Sequence, residues 1–240
     1  MGAQWKIAGK NANSNKRGAL ISKLIKEIMV AAKAGGPSMD GNSRLRVAVE
    51  AAKKQSVPRD NIDRALKRAS GVGEDAVIYE LVTYEGFAPH QVPVVVECLT
   101  DNKNRAAADV RVLFRKGQLG NVGTVGWMFD RLGVIEATHE GSGLDIEGAA
   151  IEAGAQNVEP LMAEEVPAGH TGATFYCDTA DLDSVNKALV AQQWVVTKAE
   201  MNYIAKNFVE LSEPQKKEVA EFLTALDDND DVHRVYAALK

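Results

Sequence analysis

The chain has 240 residues, of which 45% are hydrophobic and 25% are charged, a balance typical of a folded globular protein. Its length allows one large domain or two to three small ones. No apolar run approaches the roughly 18 residues needed to cross a membrane, and residues 1–10 lack the apolar core of a secretion signal. We therefore expect a cytoplasmic protein that has no membrane partner.

The net charge of −5 conceals a strong asymmetry along the chain. Residues 1–70 contain 15 Lys and Arg against 5 Asp and Glu, a net charge of +10, whereas the remaining residues carry −15. Two parts of opposite charge suit different partners. The basic part suits a phosphate backbone, and the acidic part keeps the whole protein soluble.

The basic part is predicted to form a small helical bundle. Apolar residues recur at helical spacing over residues 17–33, and Lys16, Lys23, Lys26 and Lys33 form a stripe on the opposite side. A second helix is predicted over residues 43–55 and a third after Pro58. The glycines around Val72 then mark a boundary.

After residue 73 the pattern becomes one of alternating strands and helices. Strands are predicted over residues 77–84 and 92–100, and a helix over 102–116, before a glycine-rich stretch that ends at Trp127. Residues 133–201 follow the order β-α-β-β-α-β of a split ferredoxin-like unit. A last helix begins near Ser212 and a last strand covers residues 232–239.

These elements predict an α+β fold in which an N-terminal helical bundle precedes two ferredoxin-like α+β domains, one inserted in the other. The predicted domains are a basic helical bundle of residues 1–73, a ferredoxin-like domain of residues 74–131 plus 204–240, and an inserted ferredoxin-like domain of residues 132–203.

The sequence offers no pattern for catalysis or metal binding. Cys98 and Cys177 lie in apolar, strand-forming stretches and are predicted to be buried, reduced thiols. The four histidines are dispersed, and the acidic run 227–231 lacks the glycine and glutamate of a calcium loop, so it is predicted to be a solvated turn. We expect no catalytic residue, no metal, no cofactor and no small-molecule substrate.

Basic side chains are the remaining signal. A lysine stripe opposite an apolar face is often only a solvated surface, but the threefold excess of basic over acidic residues in residues 1–70 favours nucleic-acid binding. The candidate binding residues of this part are Lys6, Lys10, Lys16, Arg17, Lys23, Lys26, Lys33, Arg44, Arg46, Lys53, Lys54 and Arg59.

A second candidate site lies where a strand gives way to the predicted helix over 102–116. A helix start favours phosphate, and the side chains there add donors. The candidates are Asn102, Lys103, Asn104 and Arg105. The alternative is that Asp101 or Asn102 only caps the helix while Lys103 and Arg105 are solvated.

Several segments together resemble the YebC family of bacterial regulatory proteins, which is related to a mitochondrial translational activator of cytochrome oxidase subunit I. The segments are residues 23–28 (KLIKEI), 31–36 (AAKAGG), 42–46 (NSRLR), 57–65 (VPRDNIDRA), 84–89 (YEGFAP), 100–105 (TDNKNR) and 133–135 (GVI). The resemblance implies a three-domain α+β protein without catalytic activity that controls gene expression through nucleic acid.

Three functional hypotheses follow. The first is a DNA-binding transcriptional regulator, which would bind mainly through electrostatic contacts because no side chain can be assigned to a base edge. The second is a translation factor that binds RNA or the ribosome and activates or relieves stalled translation. The third is a protein-interaction module that uses the acidic domains.

Overall fold

A computed structural model describes residues 15–70 and 79–239. Within these ranges the chain is α+β, with seven α-helices and two four-stranded antiparallel sheets, which confirms the predicted fold class. None of the helices in the described ranges is both long and apolar enough to cross a membrane.

The described elements follow the order of the predicted ones. The helices are α1 (Asn15–Gly35), α2 (Ser43–Lys54), α3 (Arg59–Ser70), α4 (Lys103–Leu113), α5 (Ile146–Ala153), α6 (Leu182–Ala191) and α7 (Glu213–Asp227). The strands are β1 (Glu80–Ala88), β2 (Val92–Thr100), β3 (Gln118–Leu119), β4 (Phe129–Glu140), β5 (Asn157–Pro160), β6 (His170–Asp178), β7 (Val195–Ala205) and β8 (Val232–Ala237).

The chain divides into two compact units. The first comprises residues 1–30, 67–130 and 203–240, and the second comprises residues 31–66 and 131–202. Four elements, α1, α3, β4 and β7, run from one unit into the other. The predicted assignment of residues 1–73, 74–131 plus 204–240 and 132–203 to three domains stays a prediction.

The sheet of the first unit has the strand order β3-β1-β2-β8. Its centre is the β1–β2 hairpin, in which Tyr84 pairs with Val96, and Val96 pairs in turn with Val235 of β8. The first strand runs on to Ala88, four residues past its predicted end. Gly86 permits this extension, because a Cβ atom there would collide with the main-chain oxygen of Gln118 on β3.

Both faces of this first sheet are buried, which explains why every residue of β2 is buried. One face packs on α4 and α7, where the rings of Phe114 and Phe222 meet edge to face with centroids 5.2 Å apart. The other face carries a smaller apolar cluster, in which the rings of Tyr203 and Tyr236 lie 5.3 Å apart. The last helix and strand of the chain therefore complete the core of the first unit.

The sheet of the second unit has the order β5-β6-β4-β7. Its elements follow one another as β4-α5-β5-β6-α6-β7, which is the predicted split ferredoxin-like unit. Phe175 and Trp194, with ring centroids 5.1 Å apart, anchor its core beneath α5 and α6. Val47 of α2 packs against the same core, so the second helix of the chain belongs to this unit.

Both cysteines are buried and free, as predicted. Burial raises the pKa of Cys98 to about 12 and that of Cys177 to about 11. The thiols therefore stay protonated at neutral pH and act as small apolar core groups.

Replacing Phe222 with alanine should destabilise the first unit. The side chain is 3% exposed and packs on Phe114, so its removal leaves a cavity that costs about 3–5 kcal/mol. The matched control is Phe208→Ala, because Phe208 is 38% exposed and its loss should cost about 0.5 kcal/mol or less. Urea unfolding measures both, and equal losses would contradict the packing described here.

Candidate nucleic-acid interface

The turn between α2 and α3 displays exposed basic side chains within the second unit. Lys53 and Lys54 end α2 and Arg59 begins α3. Neither lysine has a carboxylate partner among the described residues. Both lie in the last turn of α2, where the helix dipole stabilises positive charge. The Arg59 side chain is 92% exposed, and its Nε lies 3.7 Å from Asp63. These three cations are therefore open to an external anion.

The start of α2 serves a different purpose. Asn42 caps the helix by accepting from the Leu45 N–H at 3.0 Å, and it donates to the Ala31 carbonyl at 2.8 Å. The Ser43 hydroxyl donates to Asp183 of α6 at 2.5 Å, which places a carboxylate where an external phosphate would otherwise be favoured. This end of α2 is therefore held by internal contacts.

Two predicted binding arginines lie on the first turn of α2. Arg44 is only 9% exposed. Arg46 donates to the carbonyl of Met39 at 2.9 Å. Both side chains are thus tied to the fold more closely than the lysines at the other end of the helix.

The basic stripe predicted on α1 meets an acidic turn in the first unit. This turn, residues 227–231, follows α7 and leads into β8. Lys23 forms an ion pair with Asp227. Burial lowers the pKa of Lys26, against the opposing effect of the nearby Asp231 and Asp230 carboxylates. Residues 227–231, which the sequence predicted to be a solvated turn, therefore neutralise part of the stripe, because the fold places α1 beside this turn.

Glu27 fixes α1 beside β8 at the same place. Its carboxylate accepts from Arg234 at 2.9 Å and lies 3.0 Å from the His233 Nε2 atom. His233 is 5% exposed, and burial lowers its pKa although Glu27 opposes this effect. Lys23, one turn earlier on α1, reaches the acidic turn from this anchored position.

The start of α4 is also occupied by internal contacts. The Asn102 side chain accepts from the N–H groups of Asn104 and Arg105, both at 3.1 Å, which is the capping alternative considered from the sequence. Lys103 lies 2.5 Å from Glu80. Asn104 remains exposed. A phosphate at this helix start would have to displace the cap.

Arg105 is held by two carboxylates. Its Nε and Nη2 atoms donate to the two oxygens of Asp231 at 3.1 and 3.0 Å, and Nη2 also donates to Asp101 at 2.7 Å. The hydrogen bonds to Asp231 and then to Asp101 hold the pKa of the guanidinium above its ordinary value. From the sequence, the Arg105 guanidinium was expected to donate two hydrogen bonds to a phosphate. In the structure it donates them to Asp231.

The remaining predicted residues divide as follows. Lys33 is exposed near the end of α1. Lys6 and Lys10 lie outside the described residues, as do the side chains of Lys16 and Arg17. The structure therefore brings only part of the predicted set to an open surface.

A glycine loop, residues 117–126, holds a further feature of the first unit. The buried Glu85 carboxylate accepts from the N–H groups of Gly123 and Val125 at 2.8 Å and of Gly126 at 2.6 Å. Burial alone would raise the pKa of Glu85, but these three donors outweigh it and hold the pKa below its ordinary value. The loop ends at Trp127, which is 67% exposed.

Neither Glu85 nor Trp127 was predicted from the sequence to be a functional residue. The available signal for Trp127 is its position after four closely spaced glycines, because a tryptophan within a loop lacks the neighbours that bury one within a strand. Glu85 gives no such signal, since its partners lie 38 to 41 positions later in the chain.

Family models match almost the whole chain. Residues 3–72 match the TACO1/YebC protein N-terminal domain, and residues 79–239 match the TACO1/YebC second and third domain. The chain belongs to the TACO1/YebC family. This confirms the resemblance seen in the sequence.

Relatives of this TACO1/YebC protein match it along its full length. A probable transcriptional regulatory protein of Bdellovibrio bacteriovorus is 49% identical over 100% of both chains. Another, from Pseudomonas savastanoi pv. phaseolicola, is 51% identical over 100% of this chain and 99% of the relative. The crystal structure of a conserved hypothetical protein from Aquifex aeolicus superposes with a TM-score of 0.80 at 36% identity, covering 99% of this chain and 96% of that one.

Replacing Arg105 with alanine should destabilise this TACO1/YebC protein. The change leaves Asp101 and Asp231 without their shared cation and loosens the acidic turn from α4. We expect the melting temperature to fall by a few degrees. Arg111→Ala is the matched control, because Arg111 is exposed on the same helix without a carboxylate partner among the described residues. Equal melting temperatures for the two variants would contradict a stabilising role of Arg105.

Glu85→Gln should weaken the fold in a pH-dependent manner. At neutral pH the amide cannot accept from all three loop N–H groups, which should cost about 1–3 kcal/mol in urea unfolding. The stabilisation from Glu85 is complete above its ordinary pKa of 4.5 and is lost as the pH falls through the lower pKa of the folded state.

The difference in the free energy of unfolding between the native protein and this variant should therefore be smaller at about pH 3 than at about pH 7. A difference that stays constant over this range would show that the charge of Glu85 does not hold the loop.

Proposed function

We propose that this TACO1/YebC protein is a DNA-binding transcriptional regulator that contacts the phosphate backbone through the turn between α2 and α3. The names of its relatives, probable transcriptional regulatory proteins, support a regulatory role. Binding to DNA is the further step that the proposal adds.

The observation that carries the proposal is the contrast between paired and open cations. Lys23, Lys103 and Arg105 each have a carboxylate partner, so a phosphate gains little by approaching them. Lys53 and Lys54 have no such partner in the described part of the chain. Arg59 has Asp63 as its partner, but the two lie 3.7 Å apart and the Arg59 side chain is almost fully exposed. Phosphate backbones bind where cations can release their counterions, and this turn meets that condition.

The α3 helix carries further exposed cations. Arg64, Lys67 and Arg68 are exposed on this helix, beyond the residues proposed from the sequence. Asp60 and Asp63 are also exposed there, so the charge of the helix is mixed, and the excess is positive. The proposal therefore describes contacts to the backbone and assigns no side chain to a base edge.

The proposal requires no catalytic residue, cofactor or metal. Within the described residues, no group of three His, Cys, Asp or Glu side chains could hold a metal ion. The cations act by charge alone, which predicts binding that weakens steeply with salt.

Neutralising Lys53 and Lys54 should reduce the salt dependence of duplex DNA binding. Each phosphate contact that is lost lowers the slope of log K against log salt by about 1, so Lys53→Gln/Lys54→Gln should lower it by about 2. The matched control is Lys216→Gln/Lys217→Gln on α7, which makes the same change in net charge among Glu213, Glu218 and Glu221.

Fluorescence anisotropy with a labelled duplex measures both double variants across a salt series. Equal salt slopes for the two double variants would mean that DNA binding depends only on the net charge of the protein. This result would remove the turn between α2 and α3 from the proposed interface.

The alternative function, a translation factor that binds RNA or the ribosome, would use the same cations because RNA presents the same phosphates. Crosslinking in cells, followed by sequencing of the bound DNA and RNA, separates the two. The proposal expects enrichment of promoter DNA. Enrichment of ribosomal RNA without promoter DNA would reject the transcriptional role and favour the translational one.

A further inference from the structure

Trp127 is a large apolar side chain that the fold leaves in solvent. It is 67% exposed, whereas the next aromatic residue, Phe129, is only 5% exposed in the core. Val122 in the same loop is 91% exposed. An indole ring that buries so little of its surface contributes little to folding, so a grouping of exposed apolar residues marks a binding surface.

The ring is nevertheless held in place. Its Nε1–H donates to the Thr124 carbonyl at 3.2 Å. The main chain on either side is fixed as well, because the Gly126 N–H donates to Glu85 and the Met128 carbonyl accepts from the Lys206 N–H at 2.9 Å. A Cβ atom at Gly126 would lie 3.2 Å from both Glu85 oxygens, so glycine allows this close approach. The exposed ring is thus preorganised for contact with a ligand.

Positive charge precedes the glycine loop. Arg115 and Lys116 are exposed at the end of α4, and neither has a carboxylate partner among the described residues. Gly120 lies four positions after Lys116, a span of at most about 14 Å. The Gly120 N–H donates to the main-chain carbonyl of Glu85 at 2.9 Å. The side chain of the same Glu85 accepts from the N–H of Gly126, the residue before Trp127.

An exposed, fixed aromatic ring at one end of a loop and unneutralised cations at its other end suit the binding of single-stranded nucleic acid. Bases stack on the ring, and the cations contact the phosphates. A purely apolar peptide would match the ring but would gain nothing from Arg115 and Lys116. A duplex would gain from the cations, but its bases are stacked on one another and cannot reach the ring.

We propose that Trp127 stacks against an unpaired base of a single-stranded nucleic acid, with Arg115 and Lys116 contacting the adjoining phosphates. This inference rests on the proposed nucleic-acid-binding function and adds a second contact, which requires an unpaired strand. Single-stranded DNA and RNA share the chemistry, so both serve as probes.

The test measures the affinity of the full chain for oligo(dT) and oligo(U) of about 12 nucleotides, with a duplex of equal length alongside. Trp127→Ala should weaken binding of at least one single strand about tenfold and leave duplex binding nearly unchanged. Trp127→Phe, which keeps a ring, should restore most of the affinity. Ile151→Ala is the matched control and should behave as the native protein, because Ile151 is an apolar side chain that is 79% exposed on α5, outside the glycine loop.

Two further measurements separate stacking from a structural effect. In a Trp5→Phe background, single-stranded oligonucleotide should quench the tryptophan fluorescence. This quenching should be lost when Trp127 is also replaced with phenylalanine, because the remaining Trp194 ring is buried. Arg115→Ala/Lys116→Ala should lower the salt slope of single-strand binding by about 1.4. Whichever of oligo(dT) and oligo(U) binds with higher affinity identifies DNA or RNA as the single strand that the site prefers.

The outcomes distinguish this inference from the proposed function. If Trp127→Ala binds both single strands as tightly as the native protein while duplex binding persists, stacking on Trp127 is wrong and the proposed function stands. If the native protein binds neither the duplex nor a single strand, the proposed function fails and this inference fails with it.

Discussion

The acidic turn of residues 227–231 neutralises two of the cations that the sequence predicted to bind nucleic acid, Lys23 and Arg105. Asp231 holds Arg105 through two hydrogen bonds, and Asp227 pairs with Lys23. The same turn joins the sheet, since the Leu99 N–H donates to the Asp231 carbonyl at 2.9 Å. A segment of strongly acidic sequence thus serves as an internal counterion for α1 and α4. Without it, Lys23 and Arg105 would lack these carboxylate partners, and the open positive surface would be larger.

The two proposed contacts differ in their physical basis. The turn between α2 and α3 offers exposed lysines whose attraction to phosphate is long-range and screened by salt. Trp127 offers a fixed ring whose contact with a base is short-range and insensitive to salt. Together they would let the protein approach nucleic acid electrostatically and then distinguish an unpaired strand from a duplex.

Local elements could be predicted from the sequence because their determinants are local. The apolar spacing of Leu45, Ala48, Val49 and Ala52 predicted α2, and all four residues are buried. The β-α-β-β-α-β order of the second sheet was likewise visible from alternating patterns. The end of β1 was not, because it depends on how closely β3 approaches Gly86.

The site was less predictable because charge neutralisation is a long-range property. Arg105 and Asp231 are 126 positions apart, so the sequence could suggest an open arginine at a helix start but could not show its partner. Lys53 and Lys54 were named from the sequence as binding candidates, and the structure leaves both exposed at the end of α2. Exposure of Trp127 depends on the tethers between Glu85 and the glycine loop, which no local pattern indicates.

Lysine footprinting tests the central claim, that nucleic acid binds where the fold leaves cations unpaired. The protein is acetylated with and without bound DNA, and the modification of each lysine is measured by mass spectrometry. We expect DNA to protect Lys53 and Lys54, whereas Lys23 and Lys103, which are already paired with Asp227 and Glu80, should change little. Protection of Lys23 and Lys103 with Lys53 and Lys54 unchanged would contradict this claim.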